Sequence, residues 1–425
     1  MDAVKVTAMV DRHRPNLHPF EALYKDLHQH PELSSQEERT AQVVANFLRK
    51  FPAFTIHEHI GGHGVAAVLP NGEGRTVLLR AEMDALPVKE ATDLPYASSM
   101  RMDDDHDGIS KPVMHACGHD MHMACLLAAA ETLHRARDDW HGTLVVLFQP
   151  NEERAGGARA MVDDGLYDTV PLPDVVLGQH IMPYKAGEIG TRSGLMASAA
   201  DSFDVILYGR GGHASQPHRT VDPVLMAAQV VVRLQGIVAR EVCPTEIAVV
   251  SVGSIQAGTT DNVIPDHAVL KVNVRSETPA TRAKILSAMR RIVQAESAAS
   301  DAPKEPLIRQ TSAFPIMVND DNVTKMVQDS FACHFGLRYS CDGPPLGGSE
   351  DFPVLASAAG VPHCYWTLGC IDPEQWAAAQ RENRTIEDIP TNHSPRFAPV
   401  IQPTLHTGVD GFVVAALTFL TEGTD

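Results

Sequence analysis

Positive charge is scarce in this chain. Its 425 residues carry 35 lysines and arginines against 53 aspartates and glutamates, a formal net charge of −18. That balance argues against nucleic acid or an anionic membrane as a partner. A small anionic substrate stays open, because a few local arginines can outweigh the mean field. Cysteine is sparse too: the seven present have no regular spacing. They make no disulfide framework and suit a reducing compartment. No stretch approaches the ~20 uninterrupted apolar residues of a bilayer span. Residues 1–15 lack the apolar centre of a secretory signal. Together these absences lead us to expect a cytoplasmic protein. Internal repeats and low-complexity tracts are also missing.

A hydrophobic content of 44% and a charged content of 21% are those of a globular chain. The length exceeds one ordinary core, and at roughly 100–200 residues per domain we expect two domains. In the first part, Leu17, Phe20, Tyr24 and Leu27 recur at helical spacing until Pro31. Ser35-Gln36-Glu37-Glu38 reads as a capping box opening a second helix. Short apolar runs at 76–79, 144–148 and 175–177 predict strands buried on both faces, with an Ala- and Leu-rich helix at 121–134 between two of them. The class is α/β with a mostly parallel sheet. From about residue 192 the texture changes. Strands at 202–208, 247–255 and 268–275 and helices at 222–240 and 280–299 predict an inserted α+β unit of βαββα order. Its open sheet face or edge would be free to pair with another subunit. We therefore expect a catalytic domain of residues 1–192 and 314–425, interrupted by a lid or dimerisation domain at 193–313. The acidic stretch Asp103-Asp104-Asp105-His106-Asp107 reads as a solvated surface loop.

The stretch richest in chemistry is His115-Ala116-Cys117-Gly118-His119-Asp120, just ahead of a helix whose positive end would favour a thiolate. Partners lie in Asn151-Glu152-Glu153, Gly178-Gln179-His180 and Asn392-His393-Ser394. One thiol, several imidazoles and paired carboxylates are ligands that zinc, cobalt, nickel or manganese accept. Asp84, Glu152, Glu153 and His180 each follow a predicted strand, where open α/β sheets gather their ligands. Consecutive carboxylates in extended chain point opposite ways, so one of Glu152 and Glu153 can reach a metal while the other faces water. That division suits hydrolysis, with a carboxylate moving the proton. Asp84 could orient a ligating imidazole or cap a turn. His115 and His122 read as structural. In the inserted unit, the turn Gly211-Gly212-His213-Ala214, with Asn262 and Arg275, offers an imidazole, an amide and a guanidinium for a carboxylate and a carbonyl.

These segments resemble the two-domain aminoacylase and carboxypeptidase-G type metallohydrolases, in particular hippurate hydrolases and indoleacetyl-amino-acid hydrolases. The likeness runs in order from Leu27-His28-Gln29-His30-Pro31-Glu32-Leu33, through 80–87, 115–120, 149–153 and 178–180, to 209–217, 262–266, 349–352 and 392–397. It spans nearly the whole chain. The resemblance implies two divalent metal ions held by Cys117, His119, Glu153, His180 and His393, with Glu152 as general base and acid and Asp84 in support. It implies that His213 reaches the active site of a partner subunit across a dimer of the small domains. It implies that Asn262 and Arg275 grip a substrate carboxylate. The expected function is metal-dependent hydrolysis of the amide bond of N-acyl amino acids. A dipeptidase or carboxypeptidase of the same fold is the alternative, with the acidic loop at 103–107 as a place for a free amino group. A non-catalytic binder of amino-acid conjugates would have no use for Glu152, and a redox role for Cys117 is a further alternative. Four departures from the family pattern border the pocket: Arg154 stands where glycine is usual, Ile181-Met182-Pro183 follows His180 without the usual aromatic residue, and the segments between Pro95 and Met114 and from Asp372 to Thr391 are longer and more acidic. They bear on substrate identity rather than on reaction type.

Overall fold

The computed structural model describes residues 3–420. They form two compact units. The first holds the described residues up to Met196, Val318–Pro345, and those from Asp351 onward; the second holds Ala197–Met317 and Leu346–Glu350. The opening segment, for which no element was expected, forms a helix over Ala3–His13. Met1 and Asp2 lie outside the described residues.

An eight-stranded sheet crosses the first unit. Its order is Thr55–Ile60, Gly64–Asn71, Gly142–Gln149, Thr76–Glu82, Val175–Lys185, His363–Ile371, Ile189–Gly190 and Tyr339–Ser340. The four central strands pair in parallel, so the α/β class with a mostly parallel sheet is what forms. Val77, Leu78 and Leu79 are all fully buried, which explains apolar runs without alternation. The strand Thr55–Ile60 escaped the sequence reading because His57, Glu58 and His59 interrupt it and it stays largely solvent-facing.

One expected boundary is corrected. The sequence ends a strand at Leu177, but it runs to Lys185, so His180 lies inside the strand rather than after it. The cause is unequal pairing on its two sides. With Thr76–Glu82 the ladder stops at Arg80 opposite Gly178, whereas with His363–Ile371 it continues through Thr367 opposite His180. His180 stands where one neighbour has already left the sheet.

Two helices pack together to form the heart of this unit. His119–Arg135 is buried on all sides over most of its length, as a helix apolar all round must be. Against it lies Ile401–Leu420. This helix and Pro223–Arg240 are long and apolar enough to cross a membrane, but 83% of the apolar window of Ile401–Leu420 is buried in the core. Gly408 permits the close approach, since a Cβ there would sit 2.5 Å from Cys125 Sγ.

The capping box does not form. In the helix Glu38–Leu48, Glu37 makes no cap. Its Oε1 instead accepts from Ser35 N and Asn151 N, each at 2.8 Å. Glu32 does the capping, accepting from Arg39 N at 3.0 Å and Thr40 N at 2.7 Å.

The second unit is a four-stranded antiparallel sheet in the order Ala248–Ala257, His267–Ser276, Ala199–Tyr208, Leu307–Phe314. Pro223–Arg240 starts on the Asp222 side chain and Pro279–Ala299 on that of Thr278. Met226, Val230, Leu234, Ile285 and Met289 from these helices join Val205, Leu207, Leu270 and Val272 in one core. The order is βαββαβ, not βαββα. The final strand, Leu307–Phe314, is mostly exposed and rich in polar residues, so no apolar run announces it.

Candidate metal centre

The turn before helix His119–Arg135 sets the first two ligands. Gly118 has φ +82°, and a Cβ on it would meet Ile181 Cδ1 at 2.1 Å; left-handed backbone and close packing both call for glycine. A distant segment is laid against this turn. The His393 N–H donates to Ala116 O at 2.8 Å, and Asn392 Nδ2 donates to the carbonyls of Cys117 at 3.4 Å and Ile181 at 3.3 Å. His393 itself has φ +70°, a strained state that surrounding contacts must impose.

Side chains from four segments then converge. Cys117 Sγ is 3.5 Å from His180 Nε2. His119 Nε2 is 3.9 Å from Glu153 Oε1 and 4.0 Å from Glu152 Oε2. Glu153 Oε1 is 3.4 Å from His393 Nε2. The donor atoms fall into overlapping triads: Cys117, His119 and His180; Cys117, Glu153 and His393; His119, Glu152 and Glu153. Within each, all lie within 4.8 Å of one another. A tetrahedral ion with sulfur at ~2.3 Å and nitrogen at ~2.0 Å separates those ligands by about 3.5 Å, matching Cys117 and His180. His119 Nε2 and Glu153 Oε1 are buried without a hydrogen-bond partner. The residues fit divalent metal.

Three of the candidate ligands are oriented from behind. His119 Nδ1 donates to Asp84 O at 2.9 Å and lies 3.3 Å from Asp84 Oδ1. Asp84 Oδ2 accepts from Ser34 Oγ at 2.7 Å and from Glu153 N at 3.0 Å. One buried aspartate thus aims both an imidazole and a carboxylate. His180 Nδ1 donates to Ile181 O at 2.7 Å, leaving Nε2 for the site. His122 is spent elsewhere: Nδ1 donates to Glu82 Oε2 at 2.7 Å and Nε2 accepts from Ile181 N at 2.9 Å. The grouping of Glu82, His119 and His122 is therefore a hydrogen-bond network, not an ion site. Glu82 is paired with Arg80, which also donates to Gln149 Oε1 at 2.9 Å and Asp351 Oδ1 at 3.0 Å.

The electrostatics favour a cation. Burial opposes charge on His119, yet Asp84, Glu82 and Glu153 outweigh it and push its pKa up to about 10. Burial, with His122 and His119 adding repulsion, holds His180 neutral and so able to ligate. The Cys117 thiol is raised well above its usual value by burial and by Glu153, Glu152 and Glu82. This corrects the thiolate expected from the helix terminus: in the metal-free chain the carboxylates and burial overwhelm the dipole, and a dication must supply the opposing charge.

The profile of Peptidase family M20/M25/M40 matches residues 78–393. The chain belongs to this family. It is a hydrolase acting on amide bonds. Among its relatives, the hippurate hydrolase of Campylobacter jejuni subsp. jejuni is 38% identical over 337 residues, covering 78% of this chain and 84% of that one. The N-acyl-L-amino acid amidohydrolase of Geobacillus stearothermophilus is 40% identical over 283 residues, covering 66% and 73%. Among solved structures, a dinuclear metal-binding M20 peptidase from Bacillus subtilis superposes with a TM-score of 0.71 at 27% identity, covering 97% of this chain and 99% of that one.

Several residues of this M20 site carried no role in the sequence reading. Glu37 holds the Asn151 N–H; burial and nearby Asp84 push its carboxyl up to about 8. Arg80 had a visible signal, a cation directly after an apolar run predicted as a strand buried on both faces. In the acidic stretch Asp103, Asp105, His106 and Asp107 are exposed, but Asp104 is buried and takes both oxygens to Arg154. His115 is buried with neither ring nitrogen bonded, and burial brings its pKa down to about 4; the structure gives it no task. His213, Asn262 and Arg275 lie in the second unit. His213 is exposed on a short strand beside Val263–Ile264. Its Nδ1 accepts from Ser215 N at 3.1 Å, which puts the ring proton on Nε2. Asn262 O accepts from Ala214 N at 3.1 Å, and Arg275 Nη1 donates to Ser349 Oγ at 3.5 Å.

Proposed function

We propose that this M20 enzyme hydrolyses N-acyl amino acids, with Cys117, His119, Glu153, His180 and His393 holding two divalent ions from among zinc, manganese, cobalt and nickel. The observation that carries the reading is that Cys117 belongs to two ligand triads, while Glu152 stands beside His119. The names of the two relatives support the substrate class.

Divalent ions here supply Lewis acidity, which acidifies water and polarises a carbonyl. Glu152 takes the proton of the attacking water and returns it to the leaving nitrogen. Asp84 keeps His119 and Glu153 in place. Asn262 and Arg275 hold the substrate carboxylate, Arg275 by its guanidinium fork. His213, with its Nε2 proton directed outward, steadies the developing oxyanion in a partner's active site. A dimer through the second unit draws support from its exposed apolar side chains, Leu225 and Val232 on one helix and Val249 and Ile255 on an edge strand. Seven free cysteines support a cytoplasmic setting.

The peptidase alternative needs an acid to receive a free amino group. Asp104 and Asp107 are already paired with Lys111, and Asp104 also with Arg154, which removes its main support. The test is hydrolysis of N-acetyl, N-benzoyl and indoleacetyl amino acids beside free dipeptides, after chelation and reloading with each metal. Acylated substrates should be preferred, chelation should abolish turnover, and Glu152→Gln should lower kcat about 10²–10⁴-fold. Full activity after chelation, or near-normal turnover in Glu152→Gln with metal bound, overturns the reading.

A further inference from the structure

Two departures from the family pattern touch each other. Arg154, directly after Glu152-Glu153, donates from Nη2 to Asp104 Oδ1 and Oδ2, both at 2.8 Å. Asp104 lies in the hairpin built from Arg101–Asp104 and Ile109–Pro112, and its side chain is only 2% exposed. An exposed ion pair has little effect, but this carboxylate is out of water and doubly bonded by one guanidinium.

The hairpin is a fixed support. Met102 packs on Leu33, Ala85 and Val113. Gln36 Nε2 donates to Asp103 O at 3.0 Å, and its Oε1 accepts from Asp105 N at 3.2 Å. Lys111 Nζ bonds Asp104 Oδ2 at 2.8 Å. The hairpin is thereby locked to the segment 33–37, whose Glu37 binds Asn151 N at 2.8 Å. The carboxylate-bearing turn is held at its first residue by Glu37 and at its fourth through Arg154, both from one scaffold. Holding is required, because Asn151 (φ +54°) and Ala155 (φ +56°) are non-glycine residues in left-handed backbone at the two ends of the turn.

We propose that Asp104 and Arg154 are positioning residues for hydrolysis: their ion pair clamps the turn 151–155 to the hairpin and so fixes where Glu152 and Glu153 point. The inference rests on the metal and general-base roles proposed above.

The test compares the full-length metal-loaded enzyme with Arg154→Ala, Arg154→Lys, Asp104→Asn and the double variant. Readouts are kcat and KM on N-benzoylglycine, zinc affinity by chelator competition, and amide exchange of residues 151–157 in the metal-free chain. Loss of either partner should lower kcat and zinc affinity about 10–100-fold, as loss of a supporting shell does, with KM within about threefold. Amide exchange in the turn should quicken. Arg154→Lys should recover part of the loss, and the double variant should be no worse than the poorer single one. If Asp104→Asn unfolds the hairpin, Arg154→Ala carries the test, since Lys111 still holds Asp104. Unchanged zinc affinity and exchange in Arg154→Ala, or losses that multiply in the double variant, overturn the clamp. Glu152→Gln run alongside separates the two ideas. Its retained activity would sink the general-base role, whereas zinc affinity and exchange still report on the clamp.

Discussion

In the first compact unit most of the chemistry-bearing side chains are buried or half-buried, the exposed His393 excepted, and His119, Glu153, His180 and His122 are each held by a second group. In the second unit they stand on the surface with few bonds. His119 is aimed by Asp84, Glu153 by the same aspartate, and His122 is locked between Glu82 and Ile181 N. His213 has only Ser215, and Arg275 a long contact to Ser349. A cation site needs donors fixed before the ion arrives, since misplaced ligands lose affinity steeply. Groups that grip a substrate can be set when it binds. The contrast predicts that mutations in the first unit act on stability and metal together, and those in the second on turnover alone.

The hardest test of that contrast is Arg80→Met, which strands the buried carboxylates of Glu82 and Asp351. It should lower unfolding free energy by about 3–5 kcal/mol, read from denaturant midpoints. Gly118→Ala comes next. The left-handed φ and the contact with Ile181 should cost about 1–3 kcal/mol and weaken zinc binding in the same sample. A pH-dependent effect follows from His119, whose pKa rises on folding from an unfolded value of ~6.5 to about 10. Its contribution to the metal-free chain is complete below the unfolded value and is lost as pH climbs through about 10. Chelated protein should therefore lose stability across that window more steeply than loaded protein. Loading at about pH 8 should release protons, measurable by calorimetry in buffers of different ionisation enthalpy. The smallest stability change belongs to His213→Ala, within ~0.5 kcal/mol, although kcat should fall about 10²–10³-fold if it steadies the oxyanion. A large drop in melting temperature for that variant would erase the distinction between the units.

What could be read from sequence shares a cause with what could not. Cys117, His119 and Glu153 carry their candidate roles in local order, because a donor beside a strand or helix end is visible in a few residues, whereas His180 was placed just past a strand that runs on through it. The central strands were legible for the same reason, as short apolar runs. The strand at Thr55–Ile60 and the last strand of the second unit were not, because their burial is slight and no run marks them. Glu37 and Asp104 act on partners fixed only by tertiary contact: Asn151 is 114 positions from Glu37, and Arg154 is 50 from Asp104. The Ser35-to-Glu38 capping box was a false local signal: the helix begins only at Glu38, and it is Glu37 that bonds the Ser35 and Asn151 N–H groups.

Asp84, Glu152 and Glu153 crowd the neighbourhood of His119, and this has a consequence for the sequence of encounters. An acyl amino acid brings its own negative charge, so an ion-free cleft repels it and a loaded one draws it in. With two divalent ions held there as proposed, filling by cations would come before capture of the substrate.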